Sequence, residues 1–483
     1  MLNANQLNSI GFSHIIAITE PCSPYGAELA RCHRFYTPED YSELEAELMR
    51  VETLMKLFRE RMQAFEKVER ILMQFKDVRR SIERAKLFTL SDVEFFEIKR
   101  FLILLERLVS AYAELTDKIR IDGIIIEVFT EALDIIDQDG MRSMTFRVSD
   151  RSSEELAKIR KARHKLDLEL RNAVASDKER ICIEITALAA REENEEAAVR
   201  SRMTKEFAKF VDGIISTIDS VACLDFAMAK ARMGEKHNAI IPAVRQNGKS
   251  ISFSEMRNPA IDETLKDKGK AFTPIDISLC NGSTVITGAN MGGKSVTTKT
   301  LALNTLLALS GFPVFASSAE IMCLCDIELL SDDKEDTLSG LSSFGGEMVS
   351  FNKIIEKNRQ QPYLVLLDEF ARGTNPHEGA ALVRAAVKYF NQNRYAVALI
   401  TTHFDDIARF AKKHYQVMGL KNANMRELIL ALSAEGKKRV GVLESFMDYG
   451  IFEVPNSMNP PRDAITICHA LGVNDEFMSL VEE

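Results

Sequence analysis

The sequence predicts an α + α/β protein, in which a long all-helical region is followed by an α/β region built on a largely parallel sheet. Three observations carry this. Between Pro38 and Pro242 the chain has no proline, and apolar residues recur there at helical spacing. Beyond about Gly234, prolines and glycines return and short apolar runs alternate with helical patterns. Within that second region the stretch Gly288-Ala-Asn-Met-Gly-Gly-Lys-Ser295 stands between a strand-like run and a helix-like run.

The early chain offers little beyond turn chemistry at Pro21-Cys-Ser-Pro-Tyr-Gly26. Thr37-Pro38-Glu39-Asp40 then reads as an N-cap, a proline at the first helical position and acidic residues in the first turn. Leu44, Leu48, Val51, Leu54 and Leu57 form one apolar stripe, and Phe101, Leu104, Leu105 and Leu108 another. Capping boxes are expected at Ser91 with Glu94 and at Ser152 with Glu155. From Ser152 to Lys209 the apolar stripe is thin and charge of both signs is dense, which predicts paired helices projecting as an arm. A domain boundary is expected at 235–240, dividing a helical core and lever region at 1–236 from an α/β domain at 237–483. The second domain is expected to contain strands at Ser250–Phe253, Thr284–Thr287, Leu364–Leu367 and Ala396–Thr401, with helices over 296–309 and 378–391.

The composition is that of an ordinary globular protein, 46% hydrophobic and 28% charged over 483 residues. No run of 18 apolar residues occurs, so no membrane span is expected, and the N-terminus lacks a basic-then-apolar signal pattern. The eight cysteines are scattered, which fits a reducing cytoplasm. Cys323 and Cys325 are expected on one strand face rather than as zinc ligands, for no second pair or nearby histidine accompanies them. A formal charge of −9 argues against a uniformly basic nucleic-acid binder.

The chemistry concentrates in three places. The loop Gly288, Ala289, Asn290, Met291, Gly292, Gly293, Lys294, Ser295 and Val296 has the residues that wrap a phosphate chain. Its backbone N–H groups and the following helix N-terminus face the anion, Lys294 reaches the terminal phosphates, and the Ser295 hydroxyl is a ligand for Mg²⁺. The strand Tyr363-Leu-Val-Leu-Leu-Asp-Glu369 ends in two carboxylates, 73 residues after Ser295. Asp368 is placed to hold Mg²⁺ and Glu369 to orient or deprotonate the attacking water. A third strand ends at His403, a candidate contact for the γ-phosphate.

Taken together, Gly288–Ser295, Asp368-Glu-Phe-Ala-Arg-Gly-Thr-Asn-Pro-His-Glu-Gly379 and Thr401-Thr-His-Phe404 resemble the ATPase domain of the MutS family. Gly340-Leu-Ser-Ser-Phe-Gly-Gly-Glu-Met348 resembles its signature loop. Cys223-Leu-Asp-Phe-Ala-Met-Ala-Lys-Ala231 and Met256-Arg-Asn-Pro-Ala260 resemble the joint between core and ATPase domain. The resemblance implies an ABC-like ATPase that uses ATP and Mg²⁺ and works as a homodimer through a C-terminal helical segment. It also implies that Ser342 touches a γ-phosphate in trans and that Phe272 stacks on adenine. The wording of the motif after Gly373 is closest to the second MutS subfamily. Neither the mismatch-reading domain nor the Smr nuclease domain is expected, and the arms are expected to turn back without a DNA clamp. Between 147 and 205 there are 14 Lys and Arg against 12 Asp and Glu, a poor surface for counterion release. Two partner classes follow. One is DNA recognised by structure, related to mismatch repair but blind to mismatches. The other is a partner enzyme, as in similar proteins that reactivate cobalamin-dependent amino-acid aminomutases.

Overall fold

A computed structural model describes residues 2–32, 34–267, 269–288, 293–331, 343–357, 359–419, 424, 427–428, 447–458, 468 and 473–482. Its helices, in chain order, are α1 Ala4–Ser9, α2 Phe12–Ile18, α3 Pro24–Arg31, α4 Tyr41–Glu60, α5 Met62–Leu72, α6 Arg79–Arg84, α7 Asp92–Thr116 and α8 Thr130–Ile136. They continue with α9 Glu154–Asn172, α10 Ala175–Phe207, α11 Val211–Lys236, α12 Pro259–Lys266, α13 Lys294–Ala308, α14 Ser343–Glu356, α15 Pro376–Gln392 and α16 Asp475–Glu482. The strands are β1 Ala243–Arg245, β2 Ser250–Met256, β3 Ile275–Cys280, β4 Gly282–Thr287, β5 Ser318–Met322, β6 Asp326–Leu330, β7 Tyr363–Leu367, β8 Ala396–Thr402, β9 Lys413–Gly419 and β10 Asp448–Glu453. Among the described residues no strand precedes Ala243, and none of the helices is long and apolar enough to cross a membrane.

The chain divides into two compact groups, Glu20–Cys32 with Thr53–Ala229, and Met1–Thr19 with His33–Glu52 and Lys230–Glu483. The first group is helical. Ser91 and Glu94 cap α7 reciprocally, as the sequence predicts, and α7 buries Phe95, Ile98, Phe101, Leu105 and Leu108. Its partner α5 contributes Phe65, Val68 and Leu72. The Asp225 carboxylate, 1% exposed, accepts the N–H groups of Cys22 and Ser23 at 2.8 and 2.7 Å and so holds the start of α3.

The predicted arm is a helical hairpin, α9 against α10, joined through Ala173 and Val174 alone. The two-residue link leaves no globular clamp between the helices. Only Leu156 and Ile159 of α9 are buried, so the remainder of that helix is held by a thin stripe and by ion pairs. The cap of α9 differs from the expectation. Asp150–Ser152 form a 3-10 turn that draws in Ser152, whose hydroxyl bonds to Gln138. Ser153 is left with extended backbone and caps the helix through the Leu156 N–H. Cys323 and Cys325 also differ: they lie in the link between β5 and β6, not on a strand, as free thiols.

The second group holds two sheets. Four strands run in the order β1-β5-β2-β3, and six in the order β10-β9-β4-β8-β7-β6, parallel throughout except for β10. Every residue of β4, β7 and β8 is buried, as expected where both faces of a parallel sheet are covered. One cover is α15, whose Val383, Ala386, Val387 and Phe390 enter the same core as Val365, Leu367, Ala398 and Ile400. The other is α13, which touches β2 of the smaller sheet and β6 and β8 of the larger. A helix between two sheets is buried on most sides, and α13 is, with Leu301, Ala302, Leu303, Leu306 and Leu307 joined by buried polar residues. Thr297, Thr298 and Thr300 of this helix donate back to carbonyls one turn earlier, and Asn304 ties Arg257 O and the Phe315 N–H to it at 2.9 and 2.8 Å.

Candidate active site

Sheet register sets the site. On β4 and β8, Thr287 pairs with Thr402, and on β7 and β8, Leu367 pairs with Ile400. The residues that leave these three strands, Gly288, His403 and Asp368, therefore emerge along one edge of the sheet, at the carboxyl ends where ligands bind in open α/β folds.

Gly288 turns the chain at φ 146°, and a Cβ there would lie 2.0 Å from Val417 Cγ2, so no other residue fits. Ala289, Asn290, Met291 and Gly292 lie outside the described residues, as does Ser342. Gly293 precedes α13, and the Tyr449 ring approaches to 3.4 Å from the point where a Gly293 side chain would begin. Lys294, only 3% exposed, reaches back to Gly288 O at 2.7 Å and to Glu369 Oε1 at 3.3 Å. Burial holds its ammonium below the ordinary lysine value, and the Glu369 carboxylate opposes that shift.

Asp368 is buried at the end of β7. Burial holds its carboxyl above the ordinary aspartate value, partly offset by hydrogen bonds from the Ser295 and Thr401 hydroxyls. Thr401 Oγ1 donates to Asp368 Oδ1 at 2.8 Å and accepts the Glu369 N–H at 2.9 Å, so one hydroxyl sets both carboxylate residues. Glu369 is further paired with Arg372 at 2.8 Å. Glu369 and Ala371 have left-handed backbone, φ 52° and 59°. For residues with a Cβ this costs on the order of 1 kcal/mol each, strain that a packed surrounding must sustain.

His403 is exposed at the end of β8, against the Phe404 ring. Desolvation, opposed by Glu369 and aided by Lys294, holds its imidazole below the ordinary histidine value and favours the neutral ring. Val296 is half-buried in the first turn of α13, and Phe272 is half-buried in the irregular stretch before β3. The structure thus brings Lys294, Ser295, Asp368 and Glu369 into mutual contact, with His403 under the field of Glu369 and Lys294. Thr401, Arg372 and Tyr449 join them without having been singled out by the sequence. Thr401 and Arg372 stand inside the motifs quoted above; nothing local marks Tyr449.

The donor set suits a polyphosphate carried by a hard cation. A buried ammonium reaches the Gly288 carbonyl beside the N-terminus of α13, and a hydroxyl and a carboxylate oxygen stand side by side, the ligand types Mg²⁺ prefers. Comparison with known proteins agrees. Residues 284–465 match the family model described as MutS domain V. The chain carries a MutS domain V, an ATPase domain.

The α/β sheets around this domain V are those of an ABC-like ATPase. Among curated proteins the chain is similar to the Endonuclease MutS2 of Caldanaerobacter subterraneus subsp. tengcongensis, 31% identical over 245 residues, 50% of this chain and 30% of that protein. It is 32% identical to the Endonuclease MutS2 of Bacillus cytotoxicus over 255 residues, 52% of this chain and 31% of that protein. The Bacillus mycoides Endonuclease MutS2 is 34% identical over 261 residues, again 52% and 31%. The chain therefore spans less than a third of the length of these relatives.

Proposed function

We propose that this protein hydrolyses Mg-ATP at the edge formed by β4, β7 and β8, that two copies close around the nucleotides, and that the cycle acts on DNA structure without reading mismatches. The observation that carries the reading is the contact cluster of Lys294, Ser295, Asp368 and Glu369 at the sheet edge. In it, the amides of 288–296 and the Lys294 ammonium bind the β- and γ-phosphates. Ser295 and Asp368 would hold Mg²⁺, which when bound would supply positive charge against the phosphoryl oxygens. Glu369 orients a water and takes its proton as that oxygen bonds to the γ-phosphorus and the bond to the β-phosphate oxygen breaks. A neutral His403 donates to the γ-phosphate, and Phe272 stacks on adenine. Residues 237–483 act as the motor of a cytoplasmic protein and 1–236 as core and lever.

Association is part of the proposal because Ser342 is assigned to the partner's nucleotide. In a two-fold dimer one substitution damages both sites. Mixing Ser342→Ala subunits with Lys294→Ala subunits should instead leave one intact composite site per heterodimer and restore partial ATPase activity. Heterodimers that form and recover nothing refute the trans arrangement.

For DNA, the nearly balanced arm charge supports weak backbone contacts that fall with salt. Matched and mismatched duplexes should bind within about threefold, well below the ~1–3 kcal/mol per base pair of specific readout. Fluorescence anisotropy at near-physiological salt, with ATPase rates on duplex and branched DNA, tests this; a tenfold mismatch preference overturns it. The second reading, a remodelling ATPase for a partner enzyme such as a cobalamin-dependent aminomutase, is favoured by the hairpin end. Leu168, Val174 and Ile183 are exposed there and no clamp intervenes. No binding to any DNA form selects that reading.

A further inference from the structure

The strained turn behind Glu369 is gripped by one face of α14. Glu369 and Ala371 keep left-handed backbone, which persists only where the surroundings hold it. The Glu369 N–H is held by Thr401. The Ala371 N–H donates to Glu347 Oε1 at 3.1 Å. Between them Phe370 is 2% exposed, its ring centroid 4.5 Å from that of Phe351. Glu347 and Phe351 are four residues apart on α14, one turn along the same face, so a single helix supplies the polar and the apolar contact. The turn is closed from α15 as well: a Cβ on Gly379 would come within 2.7 Å of Ala371 O, a close approach that admits only glycine.

We propose that Glu347 is a positioning residue for ATP hydrolysis, holding the Ala371 N–H and through it the backbone that aims the Glu369 carboxylate. Phe351 backs the same turn. Freed from Glu347, the turn can relax toward right-handed backbone and carry the Glu369 carboxylate from its place between Lys294 and Arg372. Nucleotide binding depends on other groups, the 288–296 loop and Lys294, and is untouched. The signature is a split: turnover falls while affinity stays.

This inference rests on the assignment of Glu369 to the attacking water, so the test includes that residue. Steady-state hydrolysis, nucleotide affinity and melting temperature are measured for Glu347→Ala, Glu347→Gln and Glu369→Gln in the full chain. Glu347→Ala should lower kcat about tenfold, the worth of one hydrogen bond to a part-buried amide, with affinity unchanged. Glu347→Gln keeps an oxygen that accepts from Ala371 and should retain at least about half the activity. A merely structural role would lower the melting temperature without this rescue. Wild-type kcat in Glu347→Ala, or a Gln variant as inactive as the Ala variant, overturns the proposal. If Glu347→Ala is unstable, Phe351→Leu reads the same grip: kcat should fall several-fold at constant affinity, and an unchanged kcat overturns it. Hydrolysis that survives Glu369→Gln refutes the role of Glu369 itself; hydrolysis lost there but kept in Glu347→Ala refutes only the positioning.

Discussion

Two clusters of buried charge in this chain are built on opposite plans. In the arm hairpin, Arg160 of α9 donates to Glu192 at 2.9 Å and Glu196 at 2.5 Å on α10, to Val148 O at 2.8 Å and to Asp150. Arg163 shares Glu192. Burial opposes the Arg160 charge, yet the bonds to Asp150, Glu196 and Glu192 outweigh it and hold the guanidinium above its ordinary value. Nearby in the same helical group, Lys99 meets Asp137 at 2.9 Å and Thr145 O at 2.8 Å. Burial would raise the Asp137 carboxyl, but Lys99 and the Arg142 N–H bring it below the ordinary aspartate value. At the sheet edge the balance runs the other way. Lys294 is pushed down and Asp368 up by burial, and the groups around them do not make up the difference. A charge cluster that closes on itself stabilises the fold and has nothing left for a ligand. A cluster that stays under-compensated is completed by the charges a ligand brings.

The sharpest way to break this contrast is Lys294→Ala. The variant should lose nucleotide affinity by more than about 100-fold, because the cradle amides alone leave phosphate charge uncompensated. It should do so without lowering the melting temperature of the nucleotide-free protein, because the ammonium it removes is buried at a cost. Titration with a fluorescent ATP analogue and a thermal melt check both halves; wild-type affinity, or a large loss of stability, refutes the contrast at its functional end.

Arg160→Ala tests the opposite end. It leaves Glu192, Glu196 and Asp150 short of a partner that is itself 9% exposed, and should cost about 1–3 kcal/mol. In a helical group of this size that is a drop of about 2–4 °C per kcal/mol, read by circular dichroism, with ATP affinity unchanged. A melting temperature equal to wild type would show that the arm network is only surface decoration.

The smallest effect is a pH dependence. Asp137 has a depressed folded value, so its stabilisation is present above the ordinary carboxylate range and is lost as pH falls below about 4. Asp137→Asn should therefore be less stable than wild type by about 1–2 kcal/mol near pH 7, with the gap narrowing toward pH 3. Urea unfolding at both pH values decides it; a gap independent of pH assigns the effect to packing rather than to the ion pair.

The sequence by itself determined the class of each half of the chain and the elements that carry the chemistry. Absence of proline, apolar spacing and the Ser91–Glu94 box are local patterns, and helices obey local rules. The strand before Gly288, the apolar run ending at Asp368 and the run ending at His403 were legible for the same reason, each written in consecutive residues. Pairing was not. Which strand lies between β4 and β7, and therefore that Thr401 stands level with Asp368, depends on parallel register between segments more than a hundred residues apart in the chain for β4 and β8. The four-stranded sheet, the approach of Tyr449 to Gly293 and the hold of Glu347 on Ala371 are of the same kind. Even the cap of α9 moved by one residue, to Ser153, because a 3-10 turn competed for Ser152. Only the tertiary structure decided these, because closing such long loops is repaid only when the whole sheet and its covering helices form together.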